Sequence, residues 1–205
     1  MNAVFQRWAS EGLVWLPERG VGFLRVTEAP YDAEYFAKYE RYAETPMGRA
    51  ITKARLDLVR RHTKTRILCD VGIGCGAFAE AADCCGYDIN PVGEAWLRKN
   101  GRWLNPYETR VDAVTMWDTL EHIADPAPLL ANVRRWVFVS LPIVPGDGPP
   151  PLDWKHLRRD EHTLYFTRDG LIRFMDAHGF ACVEHSTAES LLGREDIGSF
   201  AFKRQ

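Results

Sequence analysis

The sequence predicts an α/β fold, a parallel sheet with helices on its faces, and three observations carry that reading. From Arg66 onward strand-like and helical runs alternate, in the order RILCDV, AFAEAAD, CGYDI and NPVGEAWLRKN. A glycine-rich turn, GIGCG, separates the first strand of that series from its first helix. The length of 205 residues, 46% of them hydrophobic, suffices for one domain with a full core and a small N-terminal extension.

Composition narrows the setting. A net charge of -2 gives no global attraction to nucleic acid, and no apolar run approaches the length that spans a membrane. The opening MNAVFQRWASEG lacks the basic start and apolar centre of a secretory signal. Five cysteines (Cys69, Cys75, Cys84, Cys85 and Cys182) are an odd number without CxxC spacing, so a reduced, cytoplasmic setting is expected.

The elements follow in order. Residues 12–27 hold two apolar runs around Pro17, Glu18, Arg19 and Gly20, the pattern of a hairpin. From Tyr31 to Tyr42, aromatics at spacings of three and four predict a helix that packs them on the core or sets them as a lid over substrate. Residues 1–45 are read as an extension ahead of the main domain, 46–205. Between Arg49 and Arg66 seven basic residues face one acid, Asp57, which predicts a solvated helix face more readily than a nucleic-acid patch. The link from Arg102 to Pro106 has room for a third strand, and VDAVTMWD, Val111 to Asp118, reads as the next. Asp125 and Pro126 begin a helix expected to run through Arg135 and feed the strand WVFVSLP. IVPGDGPPP, residues 143–151, is a surface loop. Thr167 to His178 reads as a helix capped by Gly179, followed by strands FACVEHST and SFAFKR.

The chemistry concentrates on DVGIGCGAF. Gly72, Gly74 and Gly76 let the backbone turn tightly after a strand and approach a ligand before a helix begins. Gly72-x-Gly74-x-x-Ala77 also fits a dinucleotide fingerprint, the mark of a nicotinamide-dependent oxidoreductase. Asp70 weighs against it, because a carboxylate there repels a pyrophosphate and suits a cationic ligand such as a sulfonium with its ammonium group. Asp88 ends the next strand, where a carboxylate accepts both hydroxyl protons of a ribose.

Together with Asp118-Thr119-Leu120-Glu121-His122, these residues make the chain resemble the class I S-adenosylmethionine-dependent methyltransferases, and within them the ubiquinone-type branch. Members carry an acidic-x-Gly-x-Gly-x-Gly turn, an acid ending the next strand and a following Asp-x-x-Glu-His. The likeness continues through VSLP (Val139–Pro142) and His162 to Phe180, and covers roughly residues 65–205. It implies a Rossmann-like sheet of seven strands, the last antiparallel. It implies S-adenosylmethionine as cofactor and S-adenosylhomocysteine as product. Asp70, Gly72, Gly74, Gly76, Asp88, Ile89, Trp117 and Asp118 would hold that cofactor. ANVRRWVFVSLP departs from the family, which has a glycine-containing turn before its fifth strand.

The expected reaction is methyl transfer to an oxygen or nitrogen of a small-molecule acceptor, with His122, His156 and His162 as candidate bases and Glu161 and Tyr165 nearby. His156, His162 and Asp160 match no firm ligand spacing, so no metal is expected. Two rivals share the cofactor site: a non-catalytic S-adenosylmethionine-binding module, and a nucleic-acid methyltransferase using the basic segment. The sequence lacks the (Asn/Asp)-Pro-Pro-(Tyr/Phe) of amino-methylating DNA enzymes. It does not determine an oligomeric state.

Overall fold

A computed structural model describes residues 12–25, 31–65 and 67–205. Val26 and Thr27 at the end of the expected hairpin, the opening residues 1–11 and Arg66 lie outside the described residues.

The hairpin forms. β1 (Val14–Leu16) and β2 (Val21–Phe23) pair antiparallel across the Pro17–Gly20 turn, closed by the Gly20 amide on the Leu16 carbonyl at 2.9 Å. The far edge of β2 is taken by β7 (Leu164–Phe166), so the N-terminal strands are built into a three-stranded sheet with a later segment. α1 (Ala33–Ala43) starts where the Asp32 carboxylate accepts the Tyr35 amide, and α2 (Pro46–His62) where the Thr45 hydroxyl accepts the Gly48 amide.

The central sheet has six strands: β3 (Leu68–Val71), β4 (Cys85–Tyr87), β5 (Val111–Trp117), β6 (Val133–Pro142), β8 (Phe180–Ser186) and β9 (Ile197–Arg204). Their spatial order is β4-β3-β5-β6-β9-β8. β3 to β6 are mutually parallel and β9 runs against both neighbours, giving the antiparallel last strand that was expected. Helices α3 (Ala77–Ala82), α4 (Pro91–Lys99) and α5 (Ala127–Ala131) follow β3, β4 and β5 in turn. α6 (Arg168–Ala177) precedes β8, and α7 (Ala188–Leu191) links β8 to β9. Both faces of the middle strands are covered, so β3 and most of β5 and β6 are buried and read as near-continuous apolar runs.

Two expectations need correction. The third strand of the seven shrinks to one bridge between Gly86 and Trp103, held by the Gly86 amide on the Arg102 carbonyl and the Leu104 amide on the Gly86 carbonyl. Asn105 begins a turn and Pro106 has no N–H to extend a ladder. The helix expected through Arg135 stops at Ala131, because the Asn132 side chain turns to the Pro106 and Tyr107 carbonyls, and β6 is already under way at Val133.

Candidate functional site

Beyond the carboxyl ends of β3, β4 and β5 lies a cavity of about 630 Å³. Its floor is the glycine turn. Gly72 has φ 73°, and a Cβ there would sit 2.4 Å from the Thr119 hydroxyl; at Gly76, φ 85°, it would strike the Trp96 ring at 2.6 Å. Gly74 is different: a Cβ would meet nothing closer than Tyr39 at 3.8 Å, so the backbone there is open to a ligand. Turn and strands are tied by the Gly72 amide on the Tyr87 carbonyl at 2.8 Å.

Asp88 lines the cavity immediately after β4. Burial raises its pKa, opposed by backbone N–H groups of Asn90, Ile73, Gly74 and Ile89 that hold the carboxylate in place. Asn90 caps α4 through its Oδ1, and its Nδ2 donates to the Asp32 carbonyl at 3.1 Å, which fastens the start of α1 to this wall. Ile89 is exposed beside the cavity. Asp70 is buried at the end of β3, accepts the Thr115 hydroxyl at 2.6 Å and is pushed up to about 7, chiefly by desolvation. The residues therefore fit a nucleoside with a cationic tail: an open backbone, a carboxylate able to accept the hydroxyl protons of a ribose, and a second acid within the same cavity.

α1 supplies the rest of the cavity wall. Phe36 is its buried core residue, while Tyr35 and Tyr39, with Tyr31 just before the helix, line the cavity. Tyr35 donates to the Tyr39 hydroxyl at 3.3 Å and packs edge-on against Tyr31. The aromatic spacing thus serves the cavity more than the core.

The turn after β5 carries the charged groups. Trp117 is buried under the Arg55 guanidinium. Asp118, φ 53°, receives Arg55 on one oxygen and Arg194 on the other, each at 2.8 Å; burial would raise its pKa, but the two guanidiniums hold it well below the usual carboxylate range. Both arginines also meet Glu189, which is 1% exposed, and Arg55 donates to the Ser140 hydroxyl. Sequence reasoning missed this network, since Arg55 belongs to the basic run of α2. Arg61 of the same run pairs with Glu184 and Lys53 with Asp57.

His122 lines the cavity on a 3-10 turn, Leu120–His122. Its Nδ1 stands 2.8 Å from the Glu161 carbonyl oxygen and 3.1 Å from the Tyr31 hydroxyl. A carbonyl only accepts, so Nδ1 carries the hydrogen and Nε2 keeps a bare lone pair. Burial lowers its pKa. His162 packs edge-on against it with ring centroids 4.8 Å apart, and desolvation followed by His122 pushes it down to about 3. His156 is not brought to this place: its Nε2 bonds the Glu195 carbonyl and it does not line the cavity. Tyr165 points to the Arg158 carbonyl, and Glu161 pairs with Arg158.

Such a cavity, at the carboxyl edge of a Rossmann-like sheet, defines a nucleoside-cofactor enzyme of the α/β class. Residues 39–185 match the family described as methyltransferase domain, and the chain belongs to it, an S-adenosylmethionine-dependent methyltransferase. No curated protein sequence matches the chain. Solved structures share its fold. An S-adenosylmethionine-dependent methyltransferase of Thermotoga maritima, a possible histamine N-methyltransferase, superposes with TM-score 0.57 at 16% identity, over 84% of this chain and 97% of that one. Magnesium protoporphyrin IX methyltransferase of Synechocystis with S-adenosylhomocysteine gives 0.56 at 13%, over 85% and 96%. The 1,6-didemethyltoxoflavin-N1-methyltransferase of Burkholderia thailandensis gives 0.54 at 16%, over 90% and 95%. Among the described residues no helix is long and apolar enough to cross a membrane.

Proposed function

We propose that the chain methylates an oxygen or nitrogen of a small molecule, as a cytoplasmic member of the ubiquinone-type branch of its family. The observation that carries this is that one cavity is lined both by the glycine turn with Asp88 and by Tyr31, Tyr35, Tyr39 and His122. That space suits a nucleoside cofactor beside a compact, flat acceptor. Enzymes that share the fold act on magnesium protoporphyrin IX and on 1,6-didemethyltoxoflavin, both small molecules. The Asp118-x-x-Glu121-His122 turn supports the branch, and five free thiols support a reduced compartment.

S-adenosylmethionine, when bound, supplies a methyl carbon activated by its sulfonium. Asp88 accepts the ribose hydroxyls, the open backbone at Gly74 admits the nucleoside, and Ile89 and Trp117 offer it apolar surface. Asp70, charged above about 7, places negative potential near the cationic tail, while Asp118 is neutralised by Arg55 and Arg194. His122, with Nδ1–H fixed on the Glu161 carbonyl, presents Nε2 as the base for an acceptor proton. The extension, residues 1–45, acts as the lid: its tyrosines exclude water and align the acceptor.

Calorimetric titration with S-adenosylhomocysteine tests the reading. Asp88→Ala weakens binding about 10- to 100-fold, the loss expected for charge-assisted hydrogen bonds, while His122→Ala leaves it unchanged. Equal affinity in wild type and Asp88→Ala would remove the basis of the assignment.

A further inference from the structure

Glu121 is 2% exposed, and neither of its carboxylate oxygens has a hydrogen-bond partner among the described residues. An unpaired buried carboxylate is costly, so a proton or a cation must satisfy it. The arginines in the vicinity are committed: Arg55 and Arg194 to Asp118 and Glu189, and Arg158 to Glu161. What stands next to Glu121 instead is a pair of imidazoles. One ligand atom from each of Glu121, His122 and His162 lies within 4.8 Å of the others. The segments that carry them are pinned together by the Thr163 amide on the Glu121 carbonyl at 2.8 Å.

The imidazoles are prepared for coordination. His122 has Nδ1–H on a backbone carbonyl and Nε2 bare, the outer hydrogen bond that commonly orients a metal-bound histidine. The His162 ring nitrogens make no hydrogen bond to any described residue. Tetrahedral coordination with the fourth position open would bring the three ligand atoms from within 4.8 Å to about 3.3 Å apart, given bonds of about 2.0–2.1 Å.

We propose that Glu121, His122 and His162 bind one divalent transition-metal ion at the edge of the cavity. Two imidazoles and one carboxylate select zinc and its first-row neighbours over magnesium or calcium, which take oxygen ligands. Because His122 lines the cavity, the open coordination position faces it, and an acceptor oxygen is the ligand class that completes the site. This last point rests on the methyl-transfer reading. With an ion on His122 Nε2 that nitrogen would be a ligand and no base, the metal instead acidifying the acceptor so that its proton leaves to solvent. The binding itself does not rest on that reading.

The full chain, stripped with a chelator, is titrated with Co²⁺ without cofactor and followed by visible absorption. Displacement by Zn²⁺ comes next, and S-adenosylhomocysteine calorimetry is run on the same samples. The expected result is one Co²⁺ per chain with absorption of a four- or five-coordinate site, displaced by Zn²⁺ and weakened about 10- to 100-fold in Glu121→Gln and in His162→Gln. Histidine NMR of the wild type needs no variant: Zn²⁺ shifts His122 and His162 and leaves His156 and His185 unmoved. No saturable Co²⁺ signal, equal titration of variants that still bind S-adenosylhomocysteine, or shifts at other histidines instead would overturn the site. Failure of the wild type to bind S-adenosylhomocysteine sinks the methyl-transfer reading and leaves the metal result standing.

Discussion

Asp118 and Glu121 stand on one turn, yet their surroundings are opposites. On the sheet side, Asp118 shares two guanidiniums with Glu189, and every charge there has a counter-charge within hydrogen-bonding distance. On the side facing His162, Glu121 has no hydrogen-bond partner among the described residues, and burial followed by the nearby Asp118 raises its pKa well above the usual glutamate range. Position in a short sequence motif therefore says little about ionisation. The strand beneath the turn presents one carboxylate to α2 and the β8–β9 connection, which bring arginines, and the other to the segment before β7, which brings the His162 imidazole.

The comparison can be broken most forcefully at Arg55. Replacing it by alanine strands Glu189 with half its counter-charge, and urea denaturation should register a loss of about 3–5 kcal/mol; a loss near zero would mean that the network is ornamental. Next in size, Asp118→Asn costs about 1.5–3 kcal/mol at neutral pH. Its folded pKa is depressed, so the stability it contributes is present above the ordinary aspartate value of about 3.9, and the gap between wild type and variant closes as pH falls through the lower, folded value. Glu121 has the reverse sign. In chelator-treated protein its raised pKa penalises the wild type as pH rises above about 4.3, so Glu121→Gln gains on it by up to about 1.4 kcal/mol per pH unit until the folded value is passed. Unfolding curves across pH that move in parallel for the two variants would erase the distinction.

Local signals were legible in the sequence. The glycine turn, Asp88 and the strand–helix alternation depend on neighbours in the chain, and the structure puts them where the spacing implies. What escaped depends on distant partners. Nothing in the run Arg49 to Arg66 marks Arg55 as the residue that turns inward, because its acids come from Asp118 and Glu189. His156 and His162 look alike in WKHLRRDEH, but the first is held by Glu195 and the second drops beside Glu121. The tyrosines of α1 announce a face by their spacing; that this face is the cavity follows from Asn90 gripping the Asp32 carbonyl. The missing third strand is a matter of one proline and one asparagine in a link too short to pair.

The hairpin ahead of α1 has a practical consequence for anyone trimming this protein. β2 covers an edge of β7, and the Leu24 amide continues the ladder onto the Thr163 carbonyl, next to the residue that carries the second imidazole. A shortened chain beginning at α1 would expose a bare, apolar strand edge, a template for sticking to another copy, and would loosen His162 while leaving the glycine turn intact. Such a fragment would hold its nucleoside and clump.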